Sequence, residues 1–430
     1  MNKLKDYPLF TVIIPQKDRA EYLIHTLRTC TIQDYPNFEI IVSDDCSEDE
    51  SVAVVRELAK KDDRIKLFAH THHLGMRDNF EFALNQVRKG YVMALGGDDG
   101  LVPGCIWRMY EILSSTKKEL LTWTPAGFTY PDVEGGKNIF YVKRKKNSGI
   151  KFINSETFLN KIASTFFYEI EECPMLFMKG VASTDLIERV KSRTKDNCFY
   201  SCPTPDGFSG IVLAGEVEDY AFSYEPLSIT GTTTKSQGRN YDRNDKKSRE
   251  EAQQFFNDNL SRTMHAELAS QQYSPLVTLM AADYLLTARD LPGWPGKFEP
   301  ISFESLIRTT FKFLEKNPIV NDVLVRELNI LREIAIQHGL LDLFNQLMIS
   351  TKRKVVREEQ VYGFVITNSL RLDGTEYGIN NIFDAALVTN FVYNFYNKMS
   401  FKFIVAFIRN TIKILIRSKK YTIENLPNIN

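Results

Sequence analysis

Residues 91–100 read YVMALGGDDG, a short apolar run followed directly by glycines and two aspartates. Such a run between turn residues predicts a buried strand with polar groups at its carboxyl end. Similar runs occur at 10–15 (FTVIIP), 38–43 (FEIIVS) and 65–68 (IKLF), and apolar residues recur at helical spacing between them. Strands that alternate with helices predict an α/β domain with a mainly parallel sheet and helices on both faces.

Polar segments follow each of these predicted strands. They are Gln16–Arg19, Asp44–Asp49, His70–Asp78 and Gly96–Gly100. The carboxyl ends of parallel strands lie at one edge of a sheet, and ligands of such sheets bind there. We therefore expect the four segments to share one rim and to face one cleft.

The bulk composition limits the class of protein. The 430 residues exceed one ordinary domain, and the 54 basic and 54 acidic residues balance, which argues against nucleic acid as a partner. The six cysteines form no CxxC pair, as expected in a reducing cytoplasm. The polar N-terminus is unlike a signal peptide, and no apolar run reaches the ~18 residues of a spanning helix.

A polar, charged stretch at 235–247 suggests a domain boundary. We predict an α/β domain at 1–240 and an all-helical domain at 241–430, where helical periodicity dominates. Phe401–Arg417 is predicted to be the last helix, with one apolar face and basic flanks. It could dock on the helical domain, or it could attach peripherally to an anionic membrane surface.

Two acidic pairs carry the predicted chemistry. Asp44 and Asp45 follow a buried strand, where carboxylates can accept hydrogen bonds from a nucleobase and from ribose hydroxyls. The alternative, capping of the next helix, suits Ser47 or Asp49 better. Asp98 and Asp99 could hold Mg²⁺ or Mn²⁺ against a diphosphate, although Gly-Asp-Asp-Gly is also ordinary turn chemistry.

As an ordered set, the motifs resemble glycosyltransferase family 2. The resemblance rests on the strand ending at Pro15, on 42–49 (VSDDCSED), on 73–75 (HLG) and on 90–99 (GYVMALGGDD). It implies the GT-A fold, a nucleoside-diphosphate sugar as donor, and transfer to an acceptor hydroxyl with inversion. It is close over about residues 8–115, looser to 240 and absent beyond 250.

The resemblance also implies roles for individual residues. Three contacts are implied: with the base and ribose, with the nucleotide-sugar, and with a metal ion and the sugar. By position, the contacts with the base and ribose fall to Pro15, Lys17, Asp44 and Asp45. Arg77 would contact the nucleotide-sugar, Asp98 would contact the metal ion, and Asp99 would face the sugar or the metal site.

A general base for the acceptor hydroxyl is also required, and the family places an acid beyond the metal motif. Asp206, in a proline-rigid loop before a predicted helix, is the preferred candidate, with helix capping as its alternative role. Asp219 is the second candidate. Lys235 lies in a segment that closes over the diphosphate in family members, although a solvated loop would look the same.

Three positions depart from the family pattern. The first metal-binding acid is Gly96, a glycine of the second motif is Cys46, and an asparagine is His73, for which a place on a surface loop is the simplest interpretation. A degenerate module that binds nucleotide-sugar without turnover therefore stays open. A nucleotidyltransferase or a nicotinamide dehydrogenase would need a glycine-rich loop after the first strand, and none is present.

The resulting prediction is a glycosyltransferase of bacterial surface polysaccharide synthesis. Its acceptor would be a glycan or a lipid-linked glycan at the cytoplasmic face of the membrane.

Overall fold

The computed structural model describes residues 7–133, 138–143, 149–241, 243–317, 319–358, 365–366, 369–396 and 419–425. Strands and helices alternate from the start, as predicted. The first elements are β1 (Phe10–Gln16), α1 (Ala20–Thr31), β2 (Phe38–Asp44), α2 (Ser51–Ala59), β3 (Ile65–Ala69), α3 (Met76–Asn85), β4 (Tyr91–Ala94), β5 (Gly100–Leu101) and α4 (Cys105–Thr116).

Short strands follow, interspersed with helices. They are β6 (Leu120–Trp123), β7 (Ala126–Thr129), β8 (Ile139–Lys143), β9 (Ile150–Asn154), α5 (Ser155–Thr165), α6 (Leu176–Lys179), β10 (Gly180–Ser183), α7 (Thr184–Lys191), α8 (Pro205–Gly215), β11 (Asp219–Ser223) and β12 (Ser228–Thr232).

Beyond residue 240 most of the described chain is helical. The elements there are α9 (Lys246–Asp258), α10 (Val277–Arg289), α11 (Phe303–Lys316), α12 (Asn321–Gln337), α13 (Leu341–Ser350), β13 (Lys352–Glu358), β14 (Val365–Ile366), β15 (Ser369–Asp373), α14 (Ile382–Tyr396) and β16 (Lys419–Asn425), with single 3₁₀ turns at Gln237–Tyr241, Ala266–Leu268 and Gly374–Tyr377.

The central sheet has the strand order β3-β2-β1-β4-β10-β6-β11-β9. The β3-β2-β1-β4 half is parallel, β6 and β11 are parallel to each other, and β10 and β9 run antiparallel to their neighbours. Every residue of β1 and β2 is buried, as expected for strands covered on both faces. The predicted α/β class is confirmed, with a sheet that is parallel in one half and mixed in the other.

Alternate residues of β1 point to opposite faces of this sheet. Ile13 belongs to one hydrophobic cluster, and Val12 and Ile14 belong to the other. The first cluster continues into α10, α11 and α12, and the second includes Ile382 of α14. The boundary near residue 240 stays a prediction, and the apolar core runs across it without interruption.

The prediction of an all-helical C-terminal part is wrong in one respect. Strand β15 pairs with β8 in a second sheet of order β14-β15-β8-β7-β12-β5, and β13 pairs with β16. In β15, Leu370 and Leu372 are buried and Arg371 between them is exposed. This alternation is the period of a half-buried strand, and it is too short to stand out from the surrounding helical pattern.

Within the described ranges, no helix combines the length and apolar character needed to cross a bilayer. The predicted terminal helix Phe401–Arg417 lies outside the residues that the structure describes.

Candidate active site

The four polar segments meet at one rim of the sheet, as predicted. The backbone N–H of Asp45 donates to the carbonyl of Gln16 across 2.9 Å, and the hydroxyl of Thr26 donates to the carbonyl of Gly97 across 3.0 Å. The first bond joins the ends of β1 and β2, and the second joins α1 to the turn that follows β4. The cleft faced by this rim is therefore the candidate site.

Asp44 lies at the carboxyl end of β2 and is almost fully buried. Its Oδ1 accepts a hydrogen bond of 2.9 Å from the backbone N–H of Ser47, and its Oδ2 accepts one from the side-chain amide of Gln16. The other amide atom, Oε1 of Gln16, is buried without a partner among the described residues. A buried acceptor beside a carboxylate is suited to the N–H groups of a nucleobase.

Asp45 shapes the loop before α3. Its Oδ1 accepts a 2.6 Å hydrogen bond from the N–H of Leu74, and its Oδ2 accepts a 3.1 Å bond from the N–H of Gly75. His73 lies on the exposed surface of this loop, as expected, and its ring links Oδ2 of Asp45 to Oδ2 of Asp258, each across 2.9 Å. These bonds engage both carboxylate oxygens of Asp45. A direct contact between Asp45 and the nucleotide stays a prediction.

Asp98 follows β4 and makes polar contacts through one oxygen. Its Oδ2 lies 3.2 Å from Nη1 of Arg19 and accepts hydrogen bonds from the hydroxyls of Thr233 (3.0 Å) and Ser236 (3.5 Å). Its Oδ1 accepts no hydrogen bond within the part of the chain that the structure describes. Asp98 thus joins the rim to the segment that follows β12.

Asp99 is held by backbone groups on both sides. Its Oδ2 accepts from the N–H of Gly96 and its Oδ1 accepts from the N–H of Gly231, each across 2.8 Å. Burial, and secondarily the charge of Asp98, raise the pKa of Asp99 above its usual range. The predicted contact of Asp99 with the sugar or the metal ion stays a prediction.

The side chains around Asp98 do not fit a divalent ion held by several carboxylates. Both oxygens of Asp99 and one of Asp98 are engaged, and in the described ranges no three His, Cys, Asp or Glu side chains cluster as metal ligands. A Cβ at Gly96 would lie 2.9 Å from Oδ2 of Asp99 and 3.3 Å from the ring of Phe177. The place of the family's first acid is thus filled by neighbouring atoms.

Asp206 is the second residue of α8, after Pro205, and the N-cap position belongs to Thr204. The carboxylate therefore does not fill the capping position proposed as its alternative role. Its Oδ1 is buried without a partner among the described residues, and burial raises the pKa of this carboxyl group. A buried carboxyl group with one unpaired oxygen and a raised pKa suits a general base.

The start of α8 is coupled to the Asp98 turn through α6. The hydroxyl of Ser209 accepts a 3.2 Å hydrogen bond from the N–H of Leu176 and donates to the carbonyl of Asp206 across 2.6 Å. The next residue, Phe177, packs beside Gly96. These contacts link the start of α8 to the turn that carries Asp98.

The other candidate base lies elsewhere. Asp219 begins β11, is partly exposed and pairs with Lys118. Because β11 runs in the same direction as β6 and β4, its first residue lies at the edge of the sheet opposite the rim. The topology favours Asp206 over Asp219.

The predicted basic residues lie at different places around the cleft. Arg77 is anchored by a 2.5 Å hydrogen bond from Nε to the carbonyl of Tyr200 and by an ion pair with Asp78. Exposed Lys17 has its Nζ 3.4 Å from Nδ1 of His73. Their contacts with the nucleotide stay predictions.

Lys235 is closer to the acidic rim. Its ammonium donates to the carbonyl of Asp18, lies 3.6 Å from a carboxylate oxygen of Glu21 and faces the ring of Tyr22. Pro15 is a buried residue of β1 opposite Ser43 of β2. Lys235 therefore stands beside the cleft, and the contact of Pro15 with the base stays a prediction.

Arg19 was not predicted as a site residue, although it ends the first polar segment. Its guanidinium contacts Asp98 and donates from Nη2 to the carbonyl of Lys235 across 2.7 Å. Two features of the sequence could have indicated a role for Arg19. An acid is missing at Gly96, and Arg19 is a basic residue in a segment predicted to share the rim.

These features define an α/β domain with acidic and basic groups at the carboxyl ends of its parallel strands. Residues 11–170 match the family model described as glycosyl transferase family 2. The predicted resemblance of the N-terminal half to that family is confirmed.

Several bacterial proteins share short regions of sequence with this chain. A GalNAc(5)-diNAcBac-PP-undecaprenol beta-1,3-glucosyltransferase of Campylobacter jejuni is 37% identical over 100 residues, which are 23% of this chain and 32% of that protein. Glycosyltransferase GlyA of Streptococcus pneumoniae is 30% identical over 101 residues, 24% of this chain and 14% of that protein. The chain therefore matches less than two thirds of the length of these relatives.

Among solved structures, S. aureus TarS 1-349 in complex with UDP-GlcNAc aligns with 79% of this chain and 90% of its own. The sequence identity is 14% and the TM-score is 0.43.

Proposed function

We propose that this chain transfers a sugar from a nucleoside-diphosphate sugar to an acceptor hydroxyl, with inversion at the anomeric carbon. The observation that carries the proposal is the buried Oδ1 of Asp206, which has no hydrogen-bond partner among the described residues. The match of residues 11–170 to a glycosyltransferase family supports the same reaction class.

In the proposed reaction the acceptor oxygen attacks the anomeric carbon from the side opposite the diphosphate. The new bond joins this oxygen to the carbon, the bond from the carbon to the phosphate oxygen breaks, and Asp206 takes the hydroxyl proton. Its raised pKa favours this step, because a carboxylate with a pKa closer to neutrality binds a proton more strongly. Asp44 and the amide of Gln16 would hold the base of the donor.

The leaving diphosphate requires positive charge. The sequence-based candidate is Mg²⁺ or Mn²⁺ at Asp98, which would neutralise the diphosphate when bound. The side chains supply a second candidate in Arg19 and Lys235, which lie on the same rim. The poor fit of the donor set around Asp98 favours the second candidate.

For the acceptor we propose a glycan or a lipid-linked glycan, with no role for nucleic acid. The name of the Campylobacter jejuni relative includes an undecaprenol-linked glycan, which supports this class. The setting would be surface polysaccharide synthesis at the cytoplasmic face of a bacterial membrane. A peripheral membrane contact through residues 401–417 is also part of this proposal, and it rests on the sequence alone.

The competing function is a binding module that holds nucleotide-sugar without turnover. The observation that favours it is Gly96, where the family has an acid. The unpaired Oδ1 of Asp206 argues for turnover, since a binding module needs no buried proton acceptor.

The experiment compares Asp206→Asn with Asp219→Asn, which is the same substitution at the opposite edge of the sheet. Binding of uridine, guanosine and thymidine diphosphates is measured by calorimetry, and turnover of the matching nucleotide-sugars is measured by nucleotide release. We expect Asp206→Asn to keep binding and to lose turnover by roughly 10²–10⁴-fold. Asp219→Asn should keep both.

Binding without turnover in the wild type would favour the non-catalytic module. Equal turnover in the two variants would remove Asp206 from the mechanism. Absence of binding with every nucleotide would refute the proposed function itself.

A further inference from the structure

Arg19 is built into the rim more firmly than a surface arginine. Its side chain is 19% exposed, and that of Asp98, its ion-pair partner across 3.2 Å, is 9% exposed. A Cβ at Gly97 would lie 2.9 Å from Cδ of Arg19, so the stem of the arginine packs directly on the glycine backbone. The guanidinium therefore has a fixed position beside the turn that follows β4.

The same guanidinium reaches the segment after β12. Nη2 donates to the carbonyl of Lys235, while the hydroxyls of Thr233 and Ser236 donate to the oxygen of Asp98 that also contacts Arg19. Asp98 thus orients one cation and fixes the segment that carries another. This positioning role explains the contacts of Oδ2 of Asp98, and no metal ion is needed to explain them.

The charge at the rim is also unlike that of a site with two acids. Gly96 removes one negative charge, and atoms of Asp99 and Phe177 occupy the space that another side chain would need. Asp98 is paired with Arg19 across 3.2 Å, and the ammonium of Lys235 adds positive charge to the same rim, 3.6 Å from a carboxylate oxygen of Glu21. The charge of Asp98 is therefore already paired before a nucleotide binds.

We propose that Arg19, oriented by Asp98, supplies the positive charge for the donor diphosphate in place of a divalent metal ion. The guanidinium uses Nη1 and Nη2 once each, so N–H groups remain for phosphate oxygens. Arginine binds phosphate through paired, charge-assisted hydrogen bonds, and this does not require a metal. The inference rests on the proposed function, because it concerns the donor of that reaction.

The first test needs no substitution. Nucleoside diphosphates are titrated into the wild-type protein by calorimetry, once with EDTA and once with Mn²⁺. We expect the two dissociation constants to differ by less than about threefold, since the arginine is present in both. Tightening by Mn²⁺ of about tenfold or more would overturn the inference.

The second test uses Arg19→Ala and, as matched control, Arg56→Ala on the exposed face of α2. Each variant is titrated with the nucleoside diphosphate and with the corresponding nucleoside, which lacks the phosphates. Arg19→Ala should weaken diphosphate binding by about tenfold or more and nucleoside binding by less than about threefold. Arg56→Ala should change neither.

Equal loss of nucleoside and diphosphate binding in Arg19→Ala would indicate a general disturbance of the cleft and would overturn the inference. Thermal unfolding of both variants checks that they are folded. Diphosphate binding that requires Mn²⁺ would reject the role of Arg19 and leave the proposed transferase intact. Absence of binding under all conditions would reject both.

Discussion

Substitution of Gly96 tests whether the place of the missing acid is open or filled. A Cβ there would lie 2.9 Å from Oδ2 of Asp99, 3.0 Å from Oδ1 of Asp98 and 3.3 Å from the ring of Phe177. Oδ2 of Asp99 cannot easily withdraw, because it accepts the N–H of residue 96 itself. Even alanine should therefore strain the turn.

The expected cost follows from packing and charge. An added methyl group in a filled interior costs ~1–3 kcal/mol, which we expect for Gly96→Ala. Gly96→Asp adds a carboxylate beside two others, and two unit charges 4 Å apart repel by about 4 kcal/mol at an effective dielectric constant of 20. We therefore expect Gly96→Asp to be less stable than Gly96→Ala by up to about that amount at pH 7.

The assay is urea unfolding at pH 7 and pH 5, with and without Mn²⁺. Gly238→Ala and Gly238→Asp serve as matched controls, because a Cβ at Gly238 meets no atom within 4 Å. The difference between Gly96→Asp and Gly96→Ala should shrink at pH 5, since protonation of the carboxyl groups relieves their repulsion. A Gly96→Asp variant as stable as the wild type, or one stabilised by Mn²⁺ more than Gly238→Asp, would refute the reasoning.

Two further predictions concern stability and access to the site. Burial raises the pKa of the fully buried Glu327 to about 7. The stability that this side chain contributes is therefore complete below the pKa of glutamate in the unfolded chain, and it is lost as the pH rises through about 7. In urea unfolding from pH 4.5 to 7.5, the free energy of unfolding should therefore depend less on pH in Glu327→Gln than in the wild type. Parallel pH profiles of the two proteins would contradict the raised pKa of Glu327. A Cβ at Gly231 would lie 1.8 Å from the carbonyl oxygen of Asp98, so Gly231→Ala should displace the Asp98 turn and weaken nucleoside-diphosphate binding by about tenfold or more. In the same titration Gly238→Ala should match the wild type, and unchanged binding by Gly231→Ala would speak against a site at this turn.

Local patterns were sufficient to predict the first half of the fold. The runs at 10–15, 38–43, 65–68 and 91–95 became β1 to β4 within one residue at each end. Strands buried on both faces read as continuous apolar runs, and the helices between them have their own periodicity. The β15 strand was missed because its pairing partner, β8, is more than 200 residues away in the chain.

The candidate site was predicted in outline and changed in detail. The sequence already favoured Asp206 through its proline-rigid loop, and the direction of β11, which local sequence does not specify, adds support by placing Asp219 at the opposite edge of the sheet. The contact between Arg19 and Asp98 joins residues 79 positions apart, and the segment that carries Lys235 lies 216 positions from Arg19. Such contacts follow from strand order, so a pattern within one segment does not contain them.

The sequence by itself determined the alternating α/β order, the common rim of polar segments and the resemblance of the N-terminal half to a glycosyltransferase family. It did so because burial period, turn residues and strand ends are local properties of the chain. Only the tertiary structure decided which oxygens of Asp45, Asp98 and Asp99 are already engaged, and that Oδ1 of Asp206 has no partner among the described residues. Those outcomes depend on which distant backbone and side-chain groups the packed sheet and helices bring within hydrogen-bonding distance.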